Sequence, residues 1–334
     1  MSAPESPPSR VTVSVVIPAY NAAPFIGAAL DSVFAQSFTD YEVIVVNDGS
    51  PDTPELERAV LPLRARIVYI SQPNGGPSSA RNTAIRRARG TYVAFLDSDD
   101  VWMPEYLAEQ MRILTADPSL DLLYSNGVIF GDSPLAGRSQ MDVTPSRGAV
   151  TFERLIEERC TVLTSCAVAR RQALIEAGLF DERFTRCEDV HLWLRLAFRR
   201  RRMTYHRKPL VRHLRRRGSL SDDVTAMTHA FIDVLRDIDT ALPVSPRQRA
   251  LIRRHISDRQ AHVALQEGKR LFLAEQYEAA AAALAHSSAR EPSPWKQARL
   301  RALLVGLKVT PRLMRRLYDV LRPPDAAMAA KRFS

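Results

Sequence analysis

The chain has 334 residues, 46% apolar and 25% charged, a globular composition with room for one large domain or two ordinary ones. Its formal charge of +10 is uneven, because from Arg186 to Arg217 twelve Lys and Arg residues face two acids, Glu188 and Asp189. The basic runs at 199–202 and 215–217 lack interleaved aromatics, and no helix-turn-helix or zinc signature is present, so nucleic acid is set aside as a partner.

Three cysteines, Cys160, Cys166 and Cys187, are too few and too irregular for a disulfide framework or a zinc site. No run approaches the ~20 apolar residues of a membrane span. Residues 1–10 lack an apolar signal core and read as a short disordered tail, and a cytoplasmic setting is expected.

Residues 11–17 predict a β-branched strand interrupted by Ser14 and ended by Pro18, Ala19, Tyr20 and Asn21. A helix follows with Phe25, Ile26, Ala29, Leu30, Val33 and Phe34 on one face. Residues 42–47 predict a second strand, closed by Asp48-Gly49-Ser50-Pro51-Asp52, then a helix over 54–61 and a strand over 67–70. Pro73-Asn74-Gly75-Gly76 turns the chain into a helix that Gly90 stops. The next apolar run, 92–96, delivers Asp97, Asp99 and Asp100 to its C-terminal end, and Pro104 opens a new helix. Crowded carboxylates repel one another unless a cation joins them. A divalent ion carrying a phosphorylated ligand fits this stretch; an acidic turn that caps the following helix fits it equally well.

Further on, the pattern predicts a helix over 104–116, a strand over 120–130, a long loop over 131–148 and a helix over 152–158. A strand over 162–168 and a helix over 170–177 come next, then a helix opened by Glu188 and Asp189, acids that a helix dipole favours there in any case. From 225 to 321, Ala, Leu, Arg and Gln at helical spacing indicate an all-helical region. Within it, residues 268–284 look like one helical hairpin. Residues 311–322 read as a basic amphipathic helix, suited to peripheral contact with an anionic membrane or to packing on its neighbours.

Apolar strands alternating with helices specify an α/β fold with a doubly wound, mainly parallel sheet, its ligand loops gathered along one edge. The expected organisation is a tail at 1–10, a catalytic domain at 11–222 and a helical appendage at 223–334. No Gly-x-Gly-x-x-Gly follows the first strand and no Gly-Lys-Ser/Thr occurs, so a dinucleotide fold and a P-loop fit poorly.

Five pieces in order narrow the field: Val-Ser-Val-Val-Ile-Pro-Ala-Tyr-Asn at 13–21, Val-Ile-Val-Val-Asn-Asp-Gly-Ser at 43–50, Asn-Gly-Gly-Pro-Ser-Ser-Ala-Arg-Asn at 74–82, Phe-Leu-Asp-Ser-Asp-Asp at 95–100, and Glu188-Asp189 ahead of Leu192-Trp193-Leu194-Arg195. With them the chain resembles the family 2 glycosyltransferases, inverting enzymes of glycosyltransferase A-type fold, over about residues 11–222. The resemblance implies that Pro18, Ala19 and Tyr20 line a nucleotide pocket and that Asp48 hydrogen-bonds the base. Asn74, Gly75 and Arg81 would close over the nucleotide, an arginine there suiting a diphosphate. Asp97 and Asp99 match the Asp-x-Asp motif around Ser98, with Asp97 near the ribose and Asp99 holding Mn²⁺ or Mg²⁺. Asp189 matches the general base, with Glu188 as second choice. Asn47 stands where the family usually has Asp. Relatives often carry a His just before the late Gly-Ser-x-Ser, where this chain has Arg216 and Arg217, with His213 earlier.

These matches imply transfer of a single sugar from a nucleotide sugar, most simply a UDP-sugar, to a glycan or lipid-linked acceptor, as in cell-surface polysaccharide synthesis. The lack of Gln-x-x-Arg-Trp after Glu188-Asp189 argues against a processive synthase. A non-catalytic nucleotide- or glycan-binding module is the rival reading. A sugar nucleotidyltransferase is the other, and it would need a Gly-rich loop and a lysine after the first strand.

Overall fold

The structure, a computed structural model, describes residues 11–216 and 218–288 together with residues 305 and 310. The expected tail at 1–10, Arg217 and the basic segment at 311–322 lie outside the described residues. The chain divides into two compact units between Val244 and Ser245.

In the first unit, β1 (Val13–Ala19), α1 (Ile26–Phe34), β2 (Tyr41–Asp48), α2 (Thr53–Val60), β3 (Val68–Gln72), α3 (Gly76–Arg87) and β4 (Tyr92–Phe95) alternate as expected. They are followed by β5 (Val101–Trp102), α4 (Tyr106–Ala116), β6 (Leu122–Phe130), α5 (Gln140–Val143) and α6 (Phe152–Ile156). Then come β7 (Ala167–Arg170), α7 (Arg171–Glu176), α8 (Glu188–Phe198), β8 (Met203–Leu214) and α9 (Val224–Ala241). The strands form one sheet in the order β3-β2-β1-β4-β7-β6-β8-β5. Its first four members are parallel. β7 runs antiparallel to both β4 and β6, β8 is parallel to β6, and β5 is antiparallel to β8.

The parallel half is a double-faced core strand set. Val13, Val15, Val16 and Ile17 of β1 and Ile44, Val45 and Val46 of β2 have no exposed surface, each stabilising the fold by roughly 1.5–3 kcal/mol relative to an exposed side chain. The one polar interruption, Ser14, is satisfied: its hydroxyl donates to Glu42 at 2.7 Å and accepts from the Gly90 amide at 2.9 Å. Because the strands are parallel, the ends of β1, β2, β3 and β4 open on the same edge, and that edge carries the site.

The second half departs from expectation in several places, among them the short helix α5 inside the loop expected over 131–148 and the two-residue strand β5. The strand expected over 162–168 is instead a 3-10 turn, Thr164–Cys166, followed by β7. The twelve-residue β8 was not expected, since its run Thr-Tyr-His-Arg-Lys-Pro is polar and contains Pro209. β5 covers only residues 211 and 212 of β8, so the earlier residues stand on an edge, where proline and charge are tolerated. The helical appendage expected from residue 223 also divides differently. α9 belongs with the first unit, because Phe231, Ile232, Val234, Leu235 and Ile238 are buried and Asp237 bonds His191 of α8 at 2.9 Å.

The second unit contains α10 (Pro246–Leu273) and α11 (Tyr277–Ser288), the expected hairpin. Ser245 and Gln248 form a reciprocal capping box at the start of α10. Leu271, Phe272, Ala280, Ala281 and Leu284 form its small core. Gly268 permits the close approach, since a Cβ there would sit 2.6 Å from Leu284 Cγ.

Candidate active site

At the end of β2, Asp48 is buried and its carboxylate accepts three hydrogen bonds from the chain. Gln72 Nε2 donates to Oδ1 at 2.7 Å, the Gly75 amide to Oδ1 at 3.0 Å and the Gly76 amide to Oδ2 at 2.7 Å. The acid thus holds the turn that opens α3, where a helix N-terminus favours negative charge. Gly49 follows in the left-handed region at φ +61°, and a Cβ there would lie 2.6 Å from the Asn74 amide nitrogen. Asn74 accepts from Gly76 N at 3.2 Å. Asn47 braces the β2 turn. Its amide donates to Thr53 at 2.9 Å and Tyr69 at 3.1 Å, while its carbonyl accepts from Ser50 N at 3.0 Å.

Of the three residues expected to line this corner from β1, Tyr20 is 48% exposed, Pro18 is half-buried and Ala19 has its methyl in the core. Asn21 takes φ +50° and its amide donates to Ser50 Oγ at 2.7 Å, fixing the loop beside Tyr20.

Arg81 does not present itself as an open diphosphate donor. It is buried on α3, with Nη1 donating to Glu188 at 2.6 Å and Nη2 to Asp97 at 2.7 Å, and its guanidinium lies 5.4 Å from the Phe180 ring centroid. The two carboxylates hold its acidity even lower than usual, despite burial, so it is a permanent cation. It fastens the end of β4 to the start of α8. Glu188 is thus buried and paired with Arg81.

Asp189 differs from its neighbour. It accepts from the Thr164 hydroxyl at 2.9 Å and from the Val190 amide at 2.7 Å, with no cation in direct contact among the described residues. Burial, then the adjacent Glu188 charge, push its carboxyl up to about 6, against the opposing pull of Arg81. Its placement rests on Cys187, a non-glycine residue at φ +56° just before the helix, a conformation that is costly and clusters at functional sites.

At the end of β4, Asp97 and Ser98 are half-buried, and the Asp97 amide donates to Ser165 Oγ at 3.1 Å. The same 3-10 turn therefore positions both Asp97, through Ser165, and Asp189, through Thr164. Neither Thr164 nor Ser165 stands out in the sequence; two hydroxyls inside an otherwise apolar run are the only signal of them. Asp99 is pushed up to about 6 by burial and by the charges of Asp100 and Asp97. Asp100 is buried and takes the Leu214 amide at 2.8 Å and His213 Nδ1 at 3.1 Å, supporting its neighbours by anchoring the end of β8. This pairing raises the His213 value against the effect of burial. Arg216 Nε stands 3.8 Å from Asp99 Oδ2. Trp193 is a core residue, edge-on to Phe95 and Phe180.

Asp97 and Asp99 offer hard oxygen atoms with an excess of negative charge, and such a donor set fits Mg²⁺ or Mn²⁺. A second group, Asp181, His191 and Asp237, brings three ligand atoms within 4.8 Å of one another. There Arg183 already reaches both carboxylates, at 2.6 and 2.9 Å, and His191 bonds Asp237, so the group ties α9 to α8. The basic run after α8 is likewise partly paired, Arg201 with Glu176 and Arg202 with Asp117.

Residues 14–178 match the family described as glycosyl transferase family 2. Among curated relatives, the chain is 29% identical over 187 residues to UDP-Glc:alpha-D-GlcNAc-diphosphoundecaprenol beta-1,3-glucosyltransferase WfgD of Escherichia coli, covering 54% of this chain and 68% of WfgD. The chain spans between 26% and 68% of the length of such relatives. Among solved structures, S. aureus TarS residues 1–349 in complex with UDP-GlcNAc superposes with a TM-score of 0.62 at 20% identity, covering 89% of this chain and 87% of that one. The mannosyltransferase PcManGT from Pyrobaculum calidifontis, in complex with GDP-Man and Mn²⁺, gives 0.58 at 19% identity, covering 94% and 88%. At these identities the structural likeness establishes the fold, a glycosyltransferase A-type sheet.

Proposed function

We propose an activity for this chain from one premise: through residues 14–178 it belongs to glycosyl transferase family 2. The activity is transfer of a single sugar, with inversion, from a nucleotide sugar to a glycan or lipid-linked acceptor. The observation that carries this reading is Asp189, buried at a strained helix start and held by Thr164 of the same turn whose Ser165 takes the Asp97 amide.

An acceptor hydroxyl is a weak nucleophile at neutral pH and must lose its proton as it attacks. A carboxyl near 6 is ionised at pH 7 yet basic enough to take that proton, and Thr164 and the Val190 amide fix its orientation. Arg81 holds Glu188 and Asp97 in place, so the base and the donor end share one rigid connection. The β2–α3 corner, with Tyr20, Asp48, Asn74 and Gly75, takes the nucleoside, and Asp97 with Ser98 takes the ribose side. Asp99 is the residue that would hold Mn²⁺ or Mg²⁺, an ion that supplies charge neutralisation for the diphosphate leaving group when bound.

A UDP-sugar is the preferred donor, supported by the UDP-Glc in the name of WfgD and the UDP-GlcNAc bound to TarS. Asp48 would accept from N3–H of uracil. A guanine edge also offers donors to a carboxylate, and PcManGT binds GDP-Man, so both nucleotides belong in the test. The diphosphoundecaprenol acceptor of WfgD supports a lipid-linked acceptor and peripheral membrane association. No helix among the described residues is long and apolar enough to cross a membrane.

Incubation of the full chain with UDP- and GDP-sugars and Mn²⁺ tests the proposal. Release of nucleoside diphosphate, slow without acceptor and faster with it, is the expected result. Tight nucleotide-sugar binding with no turnover across the panel would instead make the chain a binding module.

A further inference from the structure

The exposed large apolar residues described in the first unit are scattered, with one exception. Tyr20, Leu61 and Ile175 stand apart in the chain, whereas Leu220 and Val224, 57% and 68% exposed, belong to one turn and the helix start that follows it. The turn is firmly built. The Gly218 amide donates to Asp222 Oδ2 at 3.0 Å, and the Asp222 amide to the Ser219 carbonyl at 3.1 Å. Asp223 then caps α9 by accepting from the Ala226 amide at 2.9 Å. Single exposed apolar side chains need no explanation; this pair gains its meaning from what it borders.

It borders the start of α8. Arg186 Nε donates to the Leu220 carbonyl at 3.3 Å, and the Cys187 thiol donates to the Met227 carbonyl of α9 at 3.7 Å. The turn and the first residues of α9 therefore lie against the strained segment that carries Asp189. Arg186 is half-buried, and among the described residues no carboxylate pairs with it and no acceptor takes its two terminal nitrogens. Its neighbours in sequence are differently placed: Arg183 is paired with Asp181 and Asp237, and Arg195 donates to the carbonyls of Ala177 and Leu179. Arg186 thus brings a cation with free donors to the turn that holds Leu220 and Val224 out to solvent. Such a set suits a ligand whose negative charge and apolar chain are contiguous. Arg186 is three residues from Asp189, so at most ~11 Å of backbone separates them. One sugar with a phosphate on its anomeric oxygen spans that interval.

We propose that Arg186, Leu220 and Val224 form an acceptor subsite for a lipid-linked sugar diphosphate. The guanidinium takes phosphate oxygens through its two terminal nitrogens, a geometry in which arginine binds phosphate bidentately. Leu220 and Val224 take the part of the lipid next to the diphosphate, and the sugar hydroxyl is left at Asp189. The inference rests on the transferase reading above and narrows its acceptor from glycan or lipid-linked to lipid-linked.

Calorimetry on the full chain tests this in saturating UDP and Mn²⁺, which fill the donor end. The probes are geranyl diphosphate, geraniol and methyl diphosphate. The wild type is expected to bind geranyl diphosphate about tenfold or more tightly than either fragment. Arg186→Ala should lose about tenfold of that affinity, the worth of hydrogen bonds to a charged group, and leave geraniol unchanged. Leu220→Ser combined with Val224→Ser should also lose about tenfold, through apolar surface, and leave methyl diphosphate unchanged. Both variants should bind UDP as the wild type does, a comparison that a general structural defect would not satisfy. Three results overturn the inference and leave the transferase reading in place: no binding of geranyl diphosphate by the wild type, wild-type affinity in either variant, or loss in parallel with UDP. If phosphatidylglycerol vesicles sediment the wild type but not the Leu220 and Val224 variant, while both bind geranyl diphosphate alike, the turn is a membrane contact and the inference fails. Failure of the wild type to bind UDP, even with Mn²⁺, overturns both readings.

Discussion

Two regions of the same sheet edge treat their carboxylates in opposite ways. At the β2–α3 corner and along the Arg81 bridge, Asp48 and Glu188 are buried and paired with the chain, by amides, by Gln72 and by Arg81. At the end of β4 and the first turn of α8, Asp99 and Asp189 are held up at about 6, with burial and like charge as the main causes. The first arrangement builds a rigid frame, since satisfied buried polar networks specify one geometry. The second stores electrostatic stress, which on the proposed reading a cation would relieve at Asp99 and a proton at Asp189.

The contrast can be broken most severely at Asp189. Asp189→Asn should lower turnover by about a thousandfold, within the usual worth of a general base, while UDP affinity stays unchanged. The same variant should be more stable than the wild type. Because folding raises this carboxyl above its ordinary value, ionisation opposes the fold. The penalty develops as pH rises from the ordinary carboxylate range to about 6 and persists above it. Removing the charge should return up to about 3 kcal/mol at pH 7, read from denaturant midpoints. Transfer retained with UDP affinity lost would reverse the roles assigned to the two regions.

Arg81→Ala attacks the matched region instead. It strands Glu188 in a buried position and should cost about 3–5 kcal/mol of stability, measured by the same unfolding curves. A variant as stable as the wild type would show that the bridge is not part of the frame. A gentler probe is the pH profile of kcat/KM. It should rise with pH, about tenfold per unit below the base's value, and level off above about 6, where Asp189 is ionised. The smallest effect is expected for Asn47→Ala, which removes three hydrogen bonds of the β2 turn and should cost roughly 1–3 kcal/mol without changing the pH profile.

Much of the parallel half was legible in the sequence. β1, β2 and β4 are apolar runs whose burial on both faces matches their composition, and each ends in polar residues that the topology then gathers. The antiparallel half was harder to read. β5 has two residues, and β8 joins the sheet despite Pro209 and a run of charges, because neighbour and edge position decide its pairing rather than propensity. At the site, the motifs indicated which residues would meet but not how they would be partnered. The two acids that Arg81 binds are 16 and 107 residues away, and no local pattern records either contact. Thr164 and Ser165 were hidden for the same reason. The strain at Cys187 is a backbone property that its residue type gives no hint of.

The most direct test of the account is the stereochemistry of the released sugar. Proton NMR of the newly formed anomeric centre, during donor hydrolysis or transfer and before mutarotation, reports whether the bond was formed on the opposite face. A single displacement assisted by Asp189 predicts a β-configured product from an α-linked nucleotide sugar. A product that retains the α configuration would contradict it.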